Sequence, residues 1–270
     1  MKYSTSPPIS RCNSPSSPLF YSNSSPNMPM PVTYRHNCTS AASKCYKYLR
    51  KLLKFEQMDF EFALWQIIYL LVSPQKVYRN FQNRKRTKSQ FARDDPAFLV
   101  LLGFWLLLSS IIFAIVLRLS FVQFIKFFFY TTFVDCIGVG ICIATLLWYI
   151  ANRYLRYDTT QDVEWGYAFD IHLNAFFPPL IILHILPMCL YASLLSSDSF
   201  TSRFLGNTTW LVAIGYYLYI TFLGYTSIEI LHRTDRILWA LPIFLIIYIV
   251  LLCIGMNLSY QVTQFYIYRL

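Results

Sequence analysis

The sequence predicts an all-α fold: a polytopic membrane helix bundle with five transmembrane helices, preceded by cytosolic amphipathic helices. Charged residues make up 13% of the 270 residues and hydrophobic residues 56%, whereas a soluble domain carries roughly 25% charged residues. The sequence also contains five hydrophobic runs of 21 to 25 residues, and about 20 residues suffice for a helix to cross a bilayer. Fifteen of the 23 Lys and Arg residues lie before residue 97, so a basic front precedes a nearly neutral body.

Residues 1–43 form the first predicted domain, a disordered Ser/Pro-rich cytosolic tail. They contain 11 Ser and 7 Pro residues and no acidic residue. Proline interrupts both helices and strands, and the apolar content is too low to offset the entropy lost on ordering.

Residues 44–95 form the second predicted domain, a basic amphipathic and interfacial helical segment. In its first part, basic residues recur at helical spacing opposite an apolar face, and they include Lys47, Arg50, Lys51 and Lys54. Such a helix either lies on an anionic cytosolic leaflet or packs on its own protein. Within residues 56–73 the uncharged run is 12 residues long, too short to span, so this helix is interfacial, re-entrant or docked against the bundle.

Residues 75–93 carry seven positive charges and no acidic residue. Directly before a membrane helix, such an excess is what the positive-inside bias produces. The alternative is RNA binding, in which basic side chains contact phosphates and aromatic side chains stack on bases. The candidate contacts with a membrane surface or RNA in this segment are Arg84, Lys85 and Arg86.

Residues 96–270 form the third predicted domain, which holds the five spans. Asp95 suits the N-cap of the first span and Pro96 its first helical position. A 23-residue connection, 152–174, separates the second span from the third. The predicted spans are Ala97–Leu117, Phe127–Ala151, Ala175–Leu195, Thr208–Ile228 and Ile237–Asn257.

The orientation follows from the Lys and Arg residues near the ends of the spans. With the N-terminus inside, 11 of these residues lie on the cytosolic side and four on the other side. Because cytosolic loops are enriched in Lys and Arg, we expect a cytosolic N-terminus and a lumenal C-terminus. The connection 152–174 then faces the same compartment as the basic segment.

Asp135 is the only acidic residue within a predicted span. An unpaired carboxylate there costs at least ~2.5 kcal/mol, so such a residue is a candidate for function. We expect it to be protonated or hydrogen-bonded to Thr131 or Thr132, with His184 in the third span as a candidate partner. A structural hydrogen bond is favoured over ion or proton transport.

The stretch 162–179 packs acidic, His, Asn and aromatic residues closely together. No H-x-x-x-H pairing, nucleophile elbow or phosphate-binding loop occurs in the sequence, so no metal, cofactor or catalytic residue is assigned. The stretch predicts either a partner-binding surface or caps and interfacial anchors of the third span. The candidate partner-binding residues are Glu164, Trp165, Asp170, His172 and Asn174.

A different class of function is a small channel, a transporter or a lipid-modifying membrane enzyme. It would use Asp135, Asp170, His172 and His184. This hypothesis requires a water-accessible polar cavity that joins these four side chains.

Seven runs occur in a specific order between residues 48 and 217. They are Tyr48-Leu-Arg-Lys-Leu-Leu, Phe55-Glu-Gln-Met-Asp-Phe-Glu-Phe-Ala-Leu-Trp, Ser73-Pro-Gln, Val77-Tyr-Arg-Asn-Phe, Ala92-Arg-Asp-Asp-Pro-Ala-Phe, Asp162-Val-Glu-Trp-Gly-Tyr-Ala-Phe-Asp-Ile-His-Leu-Asn-Ala-Phe and Val212-Ala-Ile-Gly-Tyr-Tyr. These runs resemble the uncoordinated-fifty (UNC) family of Golgi multi-pass membrane proteins. The resemblance covers roughly residues 44–270 and leaves out the Ser/Pro-rich tail.

The resemblance implies a non-enzymatic Golgi membrane protein that acts in vesicle traffic. The family is associated with recruiting Arf guanine-nucleotide exchange factors and with delivering nicotinic acetylcholine receptors to the cell surface, so these are the implied partner and cargo. Vertebrate relatives are also linked to the inner nuclear membrane and to RNA binding. The resemblance implies no catalytic residue and no cofactor.

Overall fold

The computed structural model describes residues 58–88, 95–157, 162–189 and 199–269, together with Arg50 as a single exposed helical residue. Within these ranges the chain is helical and forms no strand. The predicted tail 1–43 and the basic residues Lys47, Lys51 and Lys54 lie outside them. The helices are α1 (Phe60–Val72), α2 (Pro74–Lys88), α3 (Ala97–Leu117), α4 (Phe121–Leu155), α5 (Trp165–Cys189), α6 (Phe200–Thr226), α7 (Thr234–Ile254) and α8 (Leu258–Arg269).

Four helices, α3, α4, α5 and α7, are long and apolar enough to cross a membrane. They correspond to four of the five predicted spans, and the prediction of a helical membrane bundle is confirmed. The first span has the predicted bounds, Ala97–Leu117. Its N-cap is Pro96 rather than the predicted Asp95. The Asp95 carboxylate still contacts the start of the helix, because it accepts a hydrogen bond from the backbone N–H of Ala97 at 3.1 Å.

The helix α6 contains the predicted fourth span except its last two residues, Ser227 and Ile228, but it does not reach the apolarity of the other four. It is 27 residues long, which corresponds to about 40 Å. It runs antiparallel to α5: the Tyr167 hydroxyl donates to the Gly224 carbonyl at 3.0 Å, and His172 Nδ1 lies 2.8 Å from the Tyr217 hydroxyl. This packing along an apolar helix supports a crossing by α6, which stays a prediction.

The third span begins ten residues earlier than predicted, at Trp165 rather than Ala175. Hydropathy alone underestimated the length of this helix, because the first turns of α5 carry polar residues that other helices bury. The chain is held just before this start, since the Asn152 side chain bonds both the N–H and the carbonyl of Val163 at 2.9 and 3.2 Å. Trp148 Nε1 donates to the same carbonyl at 2.8 Å. The predicted 23-residue connection is therefore largely helical.

Three segments within the long helices are π-helical. They follow or interrupt regular α-helix, and the one in α5 begins two residues after Pro179. Pro178 and Pro179 lack the N–H that a regular ladder needs. Wider turns of this kind accommodate such a break without ending the helix. The segments are Tyr130–Gly138 and Ala151–Leu155 in α4, and Ile181–Ile185 in α5.

Two connections meet at the predicted cytosolic end of the bundle. The N–H of His232 donates to the Leu155 carbonyl at 2.8 Å, and the N–H of Tyr157 donates to the Ile230 carbonyl at 3.0 Å. These bonds enclose an isolated antiparallel bridge next to the α4–α5 connection. The α4–α5 and α6–α7 connections therefore lie on the same side, as two crossings between them would require.

The helix α1 packs against α3 and α5. It begins after Asp59, whose carboxylate accepts from the Phe62 N–H at 3.0 Å, and its C-cap is Ser73. At 13 residues it is too short to span, as predicted. Its buried face consists of Ala63, Gln66, Ile67 and Leu70.

Candidate functional site

A buried polar cluster joins α1, α4, α5 and α6, and we call its side chains Gln66, His172, Asn174 and Tyr217 the His172 cluster. Gln66 Nε2 donates to Asn174 Oδ1 at 2.7 Å. These two amides are 1% and 2% exposed. A buried polar group without a partner costs about 1–3 kcal/mol, so this bond stabilises the packing of α1 on α5.

The imidazole of His172 uses both of its nitrogens between helices. Nε2 lies 3.1 Å from the Cys136 carbonyl on α4, and Nδ1 lies 2.8 Å from the Tyr217 hydroxyl on α6. Because a carbonyl only accepts, Nε2 carries the hydrogen, and in a neutral imidazole Nδ1 then accepts from the tyrosine. This arrangement fixes one tautomer and holds three helices together.

Gly140 on α4 makes the space that the His172 ring occupies. A Cβ at this position would lie 2.5 Å from both Cδ2 and Nε2 of His172. The acceptor carbonyl of Cys136 belongs to the π-helical segment Tyr130–Gly138, where the backbone bonds run i→i+5. The glycine and the π segment together allow α4 to approach α5 closely enough for the hydrogen bond.

The five predicted partner-binding residues divide into a buried pair and a more exposed group. His172 and Asn174 are each 2% exposed and bonded inside the bundle, so neither side chain lies on an exposed surface, and partner binding by these two residues stays a prediction. Trp165 is 39% exposed, and Glu164 and Asp170 are partly exposed. Glu164 occupies the N-cap of α5 without a side-chain capping bond. Partner binding by Glu164, Trp165 and Asp170 stays a prediction.

The start of α5 is held firmly in place by its aromatic residues. Trp165 Nε1 donates to Thr145 Oγ1 at 3.0 Å, and the indole stacks on Phe169 with ring centroids 5.4 Å apart. The Tyr167 hydroxyl lies 2.7 Å from Ser227 Oγ on α6. The exposed part of Trp165 is therefore presented on a rigid support.

Asp135, the residue before Cys136, has its partner on α8, outside the His172 cluster. The Tyr266 hydroxyl donates to Asp135 Oδ2 at 2.8 Å. The expected partners are wrong: Thr131 donates to backbone carbonyls of the preceding turn, and within the described ranges neither Thr132 Oγ1 nor His184 Nδ1 has a hydrogen-bond partner. Burial, and then the nearby carboxylate, raise the pKa of the Tyr266 phenol, so it acts as the donor.

His184 lines a small cavity beside Tyr266. The cavity has a volume of about 40 Å³, and its lining includes Phe113, His184, Trp210, Ser259, Thr263 and Tyr266. The His184 ring also contacts the Phe127 ring, with centroids 6.2 Å apart. A cavity of this size has room for one or a few water molecules but not for a lipid or peptide substrate.

The four residues of the channel, transporter or enzyme hypothesis do not converge in the described part of the chain. His172 is bonded within its own cluster, Asp170 lies on the first turns of α5, and Asp135 and His184 both contact Tyr266. No group of three or more His, Cys, Asp or Glu side chains in these ranges could hold a metal ion. The observed contacts hold the helices together.

Sequence reasoning missed the partners in these contacts. Gln66, Tyr217 and Tyr266 lie 108, 45 and 131 residues from the side chains they bond. A polar Gln66 inside the apolar run of α1 was the one local signal. For Tyr266 the sequence offers none, because tyrosines occur throughout the chain.

The basic residues Arg84, Lys85 and Arg86 lie in the last turns of α2. The structure describes the backbone there but not these side chains. Contact with a membrane surface or with RNA therefore stays a prediction. Earlier on the same helix, Lys76 and Arg79 are exposed.

Comparisons with known proteins give a consistent result. A model of the UNC-50 family matches residues 48–267. The chain is 59% identical over 243 residues to "Protein unc-50 homolog" of Drosophila melanogaster, covering 90% of this chain and 88% of the relative. It is 54% identical over 227 residues to "Protein unc-50" of Caenorhabditis elegans, covering 84% and 75%. For "Protein unc-50 homolog" of Homo sapiens the identity is 50% over 232 residues, covering 85% and 90%. No solved structure matches the chain.

Proposed function

We propose, because this chain belongs to the UNC-50 family, that it is a non-enzymatic trafficking factor of the Golgi membrane. It supports vesicle transport and the cell-surface delivery of membrane cargo such as nicotinic acetylcholine receptors. It does so by recruiting Arf guanine-nucleotide exchange factors to its cytosolic side. In this proposal the N-terminus is cytosolic, the C-terminus is lumenal, and the inner nuclear membrane is a second location.

The main support for the proposal is the hydrogen-bonded contact between the α4–α5 and α6–α7 connections at the predicted cytosolic end. Backbone bonds tie Leu155 and Tyr157 to the segment 230–232, and Arg156 forms an ion pair with Asp162. A surface that is already rigid loses little conformational entropy when a protein binds it. Basic side chains are exposed around it, namely Arg153, Arg233 and Arg236.

Trp165 is the natural anchor of such a recruiting surface. It is 39% exposed, and its indole is fixed by the stacking on Phe169 and the bond to Thr145. Tryptophan is over-represented among the residues that dominate binding energies, and pre-organised anchors are the most effective. Glu164 and Asp170 flank it with negative charge that suits basic groups on a partner.

The runner-up function is a channel, transporter or lipid-modifying enzyme, and the cavity beside His184 is the feature that favours it. Polar groups inside a membrane are functional candidates by default. The cavity places His184 next to Tyr266, which bonds Asp135. His172 and Asp170 take no part in this arrangement, so the runner-up rests on Asp135 and His184 alone.

The proposal is tested by proximity labelling of Arf guanine-nucleotide exchange factors from the full-length protein in cells. Trp165→Ala is expected to lower labelling at least fivefold while the protein remains in the Golgi membrane. Trp239→Ala is the matched control, because Trp239 is 70% exposed at the start of α7, and its labelling is expected to be unchanged. Equal labelling by wild type and Trp165→Ala, or a reporter that places residue 160 in the lumen, would contradict the proposal.

A further inference from the structure

The helix α1 has one face buried in the bundle and a second face that nothing in the described part of the chain covers. The buried face includes Gln66 and Leu70, at 1% and 0% exposure. From Leu64 onward the other face is apolar, with exposures of 50%, 50%, 40% and 77% for Leu64, Ile68, Leu71 and Val72. A helix of this kind in water would expose a continuous hydrophobic stripe at a large free-energy cost.

The contacts of α1 with the long helices give its depth. Trp165 and Thr226 lie at about the same height along the bundle axis, because Tyr167 bonds Gly224 and Ser227. Gln66 meets Asn174 nine residues into α5, and the end of α1 meets Tyr216 ten residues before Thr226. At 1.5 Å per residue, both contacts lie roughly 13–15 Å below that level. The hydrocarbon core is about 30 Å thick, so α1 reaches deep into one leaflet.

Carbonyls at the end of α1 are bonded by protein groups, as a water-free environment demands. The Tyr216 hydroxyl contacts the carbonyls of Leu70 and Leu71 at 3.0 and 2.8 Å. A helix end leaves such carbonyls without intrahelical partners, and water usually bonds them. The Ser73 N–H bonds the Tyr69 carbonyl at 2.8 Å, and the next residue, Pro74, has no N–H. Irregular backbone is tolerated within the hydrocarbon region only when it is bonded by protein in this manner.

The helix α2 leads the chain back toward the predicted cytosolic end. Its Gln75 side chain donates to the Tyr219 hydroxyl at 2.8 Å, and Gln82 Nε2 donates to the Ser227 carbonyl at 3.3 Å. Gln75 and Gln82 lie seven residues apart on α2, so α2 rises by up to about 10 Å between these two contacts. The residues that follow on α2 are basic and suit the anionic surface of a cytosolic leaflet.

We infer that α1 and α2 form a re-entrant hairpin in the cytosolic leaflet, and that the exposed face of α1 binds phospholipid acyl chains. Its deepest point is the turn at Ser73 and Pro74, braced by Tyr216. Because the hairpin occupies one leaflet only, it displaces lipid asymmetrically. The inference stands independently of the recruitment of any exchange factor.

The depth is tested by photo-crosslinking from the full-length protein in vesicles of phosphatidylcholine and phosphatidylserine. A benzoylphenylalanine residue replaces Ile68 in one variant and Glu61 in the other, since Glu61 is exposed in the first turn of the same helix. We expect at least fivefold more acyl-chain adduct from position 68. Equal adduct from the two positions, or a crosslink from position 68 to a second protein chain, would overturn the inference.

The role of the Tyr216 hydroxyl at the turn between α1 and α2 is tested by amide hydrogen exchange in the same vesicles. Tyr216→Phe removes the donor to the two α1 carbonyls, and amide exchange over residues 70–74 is expected to rise at least tenfold. Tyr219→Phe is the matched control, because Tyr219 contacts only the Gln75 side chain on this hairpin and leaves the α1 backbone bonded. Wild-type exchange in Tyr216→Phe would show that water bonds these carbonyls and would overturn the inference.

Discussion

Two buried polar sites of the bundle differ in how their polar groups are satisfied. In the His172 cluster, the Gln66 amide, the Asn174 amide and both nitrogens of His172 have partners on another helix. At the second site, around Tyr266, Asp135 is bonded to Tyr266, but His184 Nδ1 has no partner among the described residues, and His184 lines a cavity. The His172 cluster uses its polar groups to fix helix packing, whereas the Tyr266 site leaves one nitrogen without a hydrogen bond in the described part of the chain.

This difference shows that buried polar residues in a membrane bundle do not all play the same role. A fully bonded group stabilises the fold and is not free to exchange a proton or bind a ligand. An unsatisfied group beside a water-sized cavity costs stability and persists where water or function compensates. Three comparisons of variants distinguish these roles, in descending order of the largest loss of stability expected in each.

The largest effect is expected from Gly140→Ala. The new Cβ would lie 2.5 Å from His172, so the ring must move and lose both of its bonds. Strain and lost hydrogen bonds together predict a loss of about 3 kcal/mol, measured by thermal unfolding in detergent. Gly103→Ala is the control, because nothing lies within 4 Å of its Cβ, and it should be neutral or stabilising. Equal stability of the two variants would show that the His172 ring is not tightly held.

An intermediate effect separates His172→Leu from His184→Leu. The first removes the hydrogen bonds of His172 to the Tyr217 hydroxyl and to the Cys136 carbonyl and should cost about 2 kcal/mol. The second removes a nitrogen that bonds nothing in the described part of the chain, so its cost should be under about 0.5 kcal/mol. Thermal unfolding of both variants checks this order, and a larger loss from His184→Leu would reverse the contrast between the two sites. If His184→Leu stays stable but stops cargo delivery, the cavity has a functional role.

A smaller loss than that of His172→Leu is expected from Tyr266→Phe. It removes the donor to Asp135 and should cost about 1 kcal/mol, since hydrogen bonds between membrane helices are modest. Tyr268→Phe is the control, because Tyr268 is 88% exposed and its stability should match wild type. Identical unfolding temperatures for Tyr266→Phe and Tyr268→Phe would mean that the Asp135 bond contributes nothing measurable to the packing of α8.

Several features could be predicted from the sequence because they depend on neighbouring residues. The bounds of α3 follow from an uncharged run preceded by Asp95 and Pro96, and the stop of α1 at Ser73 follows from the next proline. The start of α5 could not be predicted in this way. By hydropathy alone, Asp170 and His172 are typical of a loop. In the structure they lie in the first turns of α5, and other helices bury and hydrogen-bond the side of these turns that faces the bundle.

The sequence by itself determined the class of this protein, its family and most of its membrane helices, since hydrophobic length and order along the chain are local properties. Only the tertiary structure decided which polar residues meet. Asp135 bonds Tyr266 rather than a threonine one turn away, and His172 is buried by α4 and α6 rather than lying on an exposed surface. The physical reason is that a buried polar group must find its partner in space, and a partner more than a hundred residues away leaves no local pattern in the chain.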